Sequence, residues 1–179
     1  MQPITVMVVE TGQSQAISIQ DLERNSNIRL LDESKLNDYN TDTVGSLLQE
    51  QEGTVDFIES TLDKIDRLNP KTVLINANQT IQEYCDLLVA MHYQQPHIQA
   101  ILVINDSISE DYILKALSCG AQGFITNKLS ALDFIKVVNA IDQGEIWVSR
   151  KILTKAMELE TRGYDWINAD QRLATGVNA

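Results

Sequence analysis

Residues Ile101–Ser149 read ILVINDSISEDYILKALSCGAQGFITNKLSALDFIKVVNAIDQGEIWVS, and the order of signals in them decides the fold. The apolar run Ala100–Asn105 predicts a strand, one buried on both faces because it offers no polar side to water. Glu110 to Cys119 carries apolar residues at helical spacing and stops at Gly120, a residue suited to a left-handed helix cap. Gly123-Phe124-Ile125-Thr126 predicts another short strand. Ser130 then caps a helix running to about Gln143 and closed by Gly144, and Ser149 caps a last helix from Arg150 to about Thr161. Short apolar strands alternating with amphipathic helices imply a parallel sheet covered on both faces.

Outward from this segment the same rhythm continues. Ile4–Val9 is a near-continuous apolar strand, a helix is expected from about Ser14 to Arg24 with Ile17, Ile19 and Leu22 inward, and Ile28–Leu31 is a short strand. Residues 32–53 are polar and read as an insertion. VDFIESTLDKIDRL, Val55–Leu68, spaces its apolar residues for a helix capped by Thr54 and stopped at Asn69-Pro70. Strand Thr72–Ala77 and a helix from Ile81 to about Tyr93 complete the set. The fold class is therefore α/β, a flavodoxin-like, doubly wound five-stranded parallel sheet of order 2-1-3-4-5 with an extra carboxyl-terminal helix. Residues 1–148 form the domain, and 149–179 are a linker helix and tail. In such sheets ligands meet the carboxyl ends of the strands, here Glu10, Thr11, Asn76, Asn78, Asn105, Asp106, Asn127 and Lys128.

Composition narrows the function. The chain has 179 residues, 44% hydrophobic and 22% charged, which suits one globular domain. A net charge of -11 repels phosphates, which disfavours direct nucleic-acid binding and docking on an anionic membrane. The amino terminus MQPITVMVVE lacks the features of a secretory signal, and no apolar run is long enough to span a membrane, so a cytoplasmic location is expected. Cys85 and Cys119 read as small core residues in a reducing compartment, with a disulfide as the alternative. His92 and His97 have no metal-ligand spacing, and no nucleophile elbow or phosphate-cradling glycine loop is present. Neither a metal nor a cofactor is expected.

The segment Ile101–Ser149 closely resembles the second half of a two-component response-regulator receiver domain, of the subfamily usually joined to a LuxR-type helix-turn-helix. Ala116-Leu117, Gly120-Ala121-Gln122-Gly123-Phe124, the capped helix SALDFIKVVNAIDQGE and Trp147-Val148-Ser149 carry the resemblance. It extends from Ile4 to about Glu160, the first half matching by pattern alone. The resemblance implies a pocket in which acidic residues after the first strand and an Asp after the third hold Mg²⁺, and that Asp accepts a phosphoryl group. A hydroxyl after the fourth strand and a Lys after the fifth would engage the phosphoryl oxygens. On this sequence the acidic pair falls on Glu10 and Thr11, the acceptor on Asn76, the hydroxyl on Asn105, the Lys on Asn127 and the switch aromatic on Phe124. Lys128 could replace the Lys only through a one-residue shift.

These departures change the chemistry. An amide is no nucleophile toward phosphorus, and hard Mg²⁺ seeks carboxylate oxygens, so a degenerate pocket is expected. Asparagines are also common at strand ends for ordinary turn formation, which remains open for each of these. The expectation is a non-enzymatic receiver acting in signal transduction through a protein partner, a regulator, kinase or effector. A truncated LuxR-type transcriptional regulator is the alternative, and a flavin or nucleotide binder is less favoured. A homodimer is expected through the last two helices, with Leu132, Phe134, Ile152, Leu153 and the tail residue Trp166 as candidate interface. The competing arrangement folds the last helix over its neighbour within one chain.

Overall fold

Each segment that reads as a buried strand enters one sheet. A computed structural model describes residues 2–9, 27–31, 54–77, 81–126 and 128–162. Its strands are β1 (Ile4–Val9), β2 (Ile28–Leu31), β3 (Thr72–Asn76), β4 (Gln99–Ile104) and β5 (Gly123–Thr126), all parallel, in the order β2-β1-β3-β4-β5. Among the described residues the helices are α1 (Thr54–Leu68), α2 (Ile81–Gln94), α3 (Glu110–Ser118), α4 (Ala131–Asp142) and α5 (Arg150–Thr161). The expected helix from Ser14 to Arg24 and the insertion 32–53 lie outside them.

The alternation of side chains along the strands builds two cores. Val73 and Ile75 of β3, with Leu102 and Ile104 of β4, pack against Ile65 of α1, Tyr84, Leu87 and Leu88 of α2 and Ala116 of α3. Leu74, Ile101, Val103 and Ile125 point the other way, onto Phe134, Val137, Val138 and Ile141 of α4. Every residue of β3 is buried, as its central place between β1 and β4 requires. Each fully buried Leu, Ile or Phe contributes about 1.5–3 kcal/mol relative to exposure, so these layers dominate the stability.

Local signals end the helices where the sequence predicts. Ser109, Ser130 and Ser149 each accept a hydrogen bond from the backbone N–H three residues on. Asn69 takes a left-handed φ of 44° after α1, a conformation asparagine tolerates. Gly120 stands at φ 112°, with the Ala121 N–H donating to the Ala116 carbonyl at 3.0 Å. Gly120→Ala is expected to cost about 1–2 kcal/mol through backbone strain. Urea denaturation measures it, and an unchanged midpoint would show that the turn relaxes.

Cys85 of α2 and Cys119 at the end of α3 are both free and buried. The Cys85 Sγ lies 4.0 Å from the Lys115 carbonyl, and the Cys119 N–H donates to that same carbonyl at 3.1 Å. The neighbouring Cys119 thiol, together with burial, pushes the Cys85 thiol above its usual range, so it stays protonated. These are core residues, as the sequence reading has them.

Candidate functional site at the carboxyl edge of the sheet

β3 delivers Asn76 to the edge. The Ala77 N–H donates to the Val103 carbonyl at 2.9 Å, which extends the strand pairing one residue and fixes where Asn76 stands. The phenol of Tyr84, itself fully buried on α2, donates to the Asn76 carbonyl at 2.8 Å. Asn76 is only 5% exposed, whereas a turn asparagine is usually solvated.

Asn105 follows β4 and plays the other part. Its Oδ1 accepts from the Ser107 N–H at 3.0 Å and from the Ser107 hydroxyl at 2.5 Å, and its carbonyl accepts from the Ile108 N–H at 3.3 Å. This is an Asx turn that starts the loop toward α3. The two readings open for the asparagines therefore divide: Asn105 is a turn former, and Asn76 is a buried polar residue at the head of the central strand.

Lys128, two residues beyond β5, forms an ion pair with Asp106, two residues beyond β4. Their hydrogen bond raises the Lys128 pKa above its usual value, so it is a firm cation, and both side chains stay open to solvent. The pairing joins residues 22 apart in sequence, and no local pattern announces it. Glu10, Thr11, Asn78 and Asn127 lie outside the described residues. Among the described residues no three His, Cys, Asp or Glu side chains gather as a metal site. Of the residues that the receiver resemblance implies for Mg²⁺, Asn76 alone is described, and its amide is a poorer ligand for that hard cation than a carboxylate.

Phe124 faces inward, 8% exposed, in the core shared with α2 and α3. Its N–H donates to the Trp147 carbonyl at 3.0 Å, and the Trp147 N–H donates to the Gln122 carbonyl at 2.8 Å. Trp147 thus covers the outer edge of β5 in a one-residue parallel bridge. A Cβ on Gly123 would meet the Ile141 Cδ1, so a larger residue at the start of β5 requires that buried side chain to shift.

Two residues of the expected interface need correction. Phe134 is fully buried under the sheet, because its position on α4 lies on the stripe with Val137, Val138 and Ile141. Ile152 is 4% exposed, because α5 folds back on the chain. Helix α5 packs on α3, joined by ion pairs from Lys151 to Glu110 and from Lys155 to Glu110 and Asp111. Leu132, at 71% exposure, and Leu153 remain open, while Trp166 lies outside the described residues.

No protein-family model and no curated protein matches the chain. Solved structures do. The signal receiver domain of the response regulator NarL from Mycobacterium tuberculosis aligns with a TM-score of 0.54 at 13% identity, over 81% of this chain and 100% of that one. A LuxR family DNA-binding response regulator from Silicibacter pomeroyi aligns with a TM-score of 0.52 at 20% identity, over 83% and 98%. The isolated receiver domain of RcsB from Salmonella enterica serovar Typhimurium, solved with the phosphomimetic BeF3-, aligns with a TM-score of 0.54 at 9% identity, over 86% and 98%. The chain has the fold of a response-regulator receiver domain.

Proposed function

We propose that this receiver fold serves signal transduction as a protein-binding module that is neither an enzyme nor a phosphoacceptor. The observation that carries the reading is Asn76, an amide buried at the carboxyl end of β3 where a receiver presents its aspartate. A carboxamide has no anionic oxygen to attack phosphorus, so no acyl phosphate can form on it. Asn105 offers an amide engaged in its turn where a hydroxyl would meet the phosphoryl group. The Lys128 cation is paired with Asp106. A buried Phe124 without a hydroxyl favours one inward state over a switch between two. Partner binding would then be governed by the exposed surface, independent of phosphate.

The test is thermal unfolding with Mg²⁺ and beryllofluoride. A ligand present at 100 times its Kd stabilises a folded protein by about 2.7 kcal/mol, a readily measured rise in Tm. No rise beyond that given by the salt alone is expected. A rise that requires both Mg²⁺ and beryllofluoride would overturn the reading.

A further inference from the structure

Helices α3 and α5 meet along part of their length and leave an apolar groove between them. It has a volume of about 380 Å³, with Leu114 and Leu117 of α3 on one side, Leu153, Met157 and Glu160 of α5 on the other, and Ile146 from the preceding loop. Six large hydrophobic residues are exposed among the described residues, and three of them, Ile146, Leu153 and Met157, line this groove. Met157 is 62% exposed, a position a helix ordinarily gives to a polar residue. The ion pairs of Lys151 and Lys155 hold α5 at the amino-terminal turn of α3, and the apolar lining continues toward the carboxyl ends of both helices. The groove is thus a formed feature of the domain, along which three of the exposed large hydrophobics gather.

We infer that this groove is the docking site of the chain's own segment Tyr164–Ile167. The described chain ends at Arg162, the cap of α5, two residues beyond the groove residue Glu160. Gly163 comes next in the sequence, the residue type that most readily reverses a chain after a helix cap. Tyr164, Trp166 and Ile167 follow at once, whereas the remainder of the tail is mostly small and polar. Lengths agree: four extended residues span roughly 13 Å, and Leu153 to Glu160 along the helix is roughly 10 Å. A segment tethered at the mouth of the groove has a millimolar effective concentration there. A second copy has no such advantage, and with a net charge of -11 on each chain two copies repel.

Tryptophan fluorescence tests this on the full chain. The sequence holds two tryptophans, so Trp147→Phe leaves Trp166 as the sole reporter. Docking predicts blue-shifted emission and several-fold weaker acrylamide quenching than for free indole, unchanged on dilution. Leu153→Glu should return both to free-indole values while circular dichroism keeps the folded signature. Met157→Glu, at a more exposed position, serves if Leu153→Glu fails to fold. Three results would overturn the inference: full quenching in the parent protein, protection that fades on dilution and so reveals a second copy as the occupant, or protection that survives the glutamate substitutions.

Discussion

Phe134→Ala lowers the stability of the domain by about 3–5 kcal/mol, the usual cost of removing a buried phenylalanine ring. The ring is fully buried and packs in the α4 layer with Val137, Val138 and Ile141 under Leu74, Ile101, Val103 and Ile125. Its loss leaves a cavity between helix and sheet that neither can close without moving the backbone. The same substitution separates the two roles open to this residue. In a core the destabilisation is independent of protein concentration, whereas at a subunit interface it appears as a concentration-dependent Tm. Chemical denaturation at two protein concentrations should therefore give one value. Leu132→Glu, two residues away and 71% exposed, should leave the monomer's stability within about 0.5 kcal/mol.

The second large effect concerns the pocket. Asn76→Asp puts a carboxyl group on a residue that is 5% exposed, and Lys128, a cation at this edge, is already held by Asp106. Burial disfavours the charged form, so the new carboxyl has a folded pKa above its unfolded value of about 3.9. A rise of about 2 units corresponds to about 2.7 kcal/mol of lost stability at pH 7. Below about pH 3.9 both states carry the proton and the loss disappears. It grows as pH rises through the unfolded value and levels off above the raised folded one. Urea midpoints of variant and parent measured from pH 4 to pH 8 should diverge with rising pH. Parallel curves would show that the edge accommodates a carboxylate.

Much of this architecture is legible in the residues themselves. Strands β3 and β4 announce themselves as apolar runs because a central parallel strand is buried on both faces, and the helices following β4 and β5 begin at capping serines. Gly120 and Gly144 mark helix ends because their positive φ excludes most other residues. Boundaries move by a residue: Asn105, read into its strand, lies in the turn, since its side chain competes for the backbone.

The candidate site was legible in location but only partly in chemistry. Asn76 and Asn105 look alike in sequence, and burial alone distinguishes the strand-end amide from the turn former. The Lys128–Asp106 pair and the Trp147 cover on β5 depend on contacts between loops distant in sequence, which no helical or strand period encodes. Phe134 was misread for a related reason. α4 carries apolar residues on more than its buried stripe, so periodicity does not say which of them meets the sheet until the neighbouring elements are in place. The sequence of α5 likewise does not say that α3 is the helix it packs on.

The central claim is that the carboxyl edge of this sheet cannot take a phosphoryl group, and intact-mass spectrometry tests it most directly. The protein is incubated with Mg²⁺ and acetyl phosphate, alongside a receiver domain that retains its aspartate as positive control. The account predicts an unchanged mass for this chain while the control gains a phosphoryl group. A hydroxylamine-labile phosphoryl adduct on this chain would contradict it.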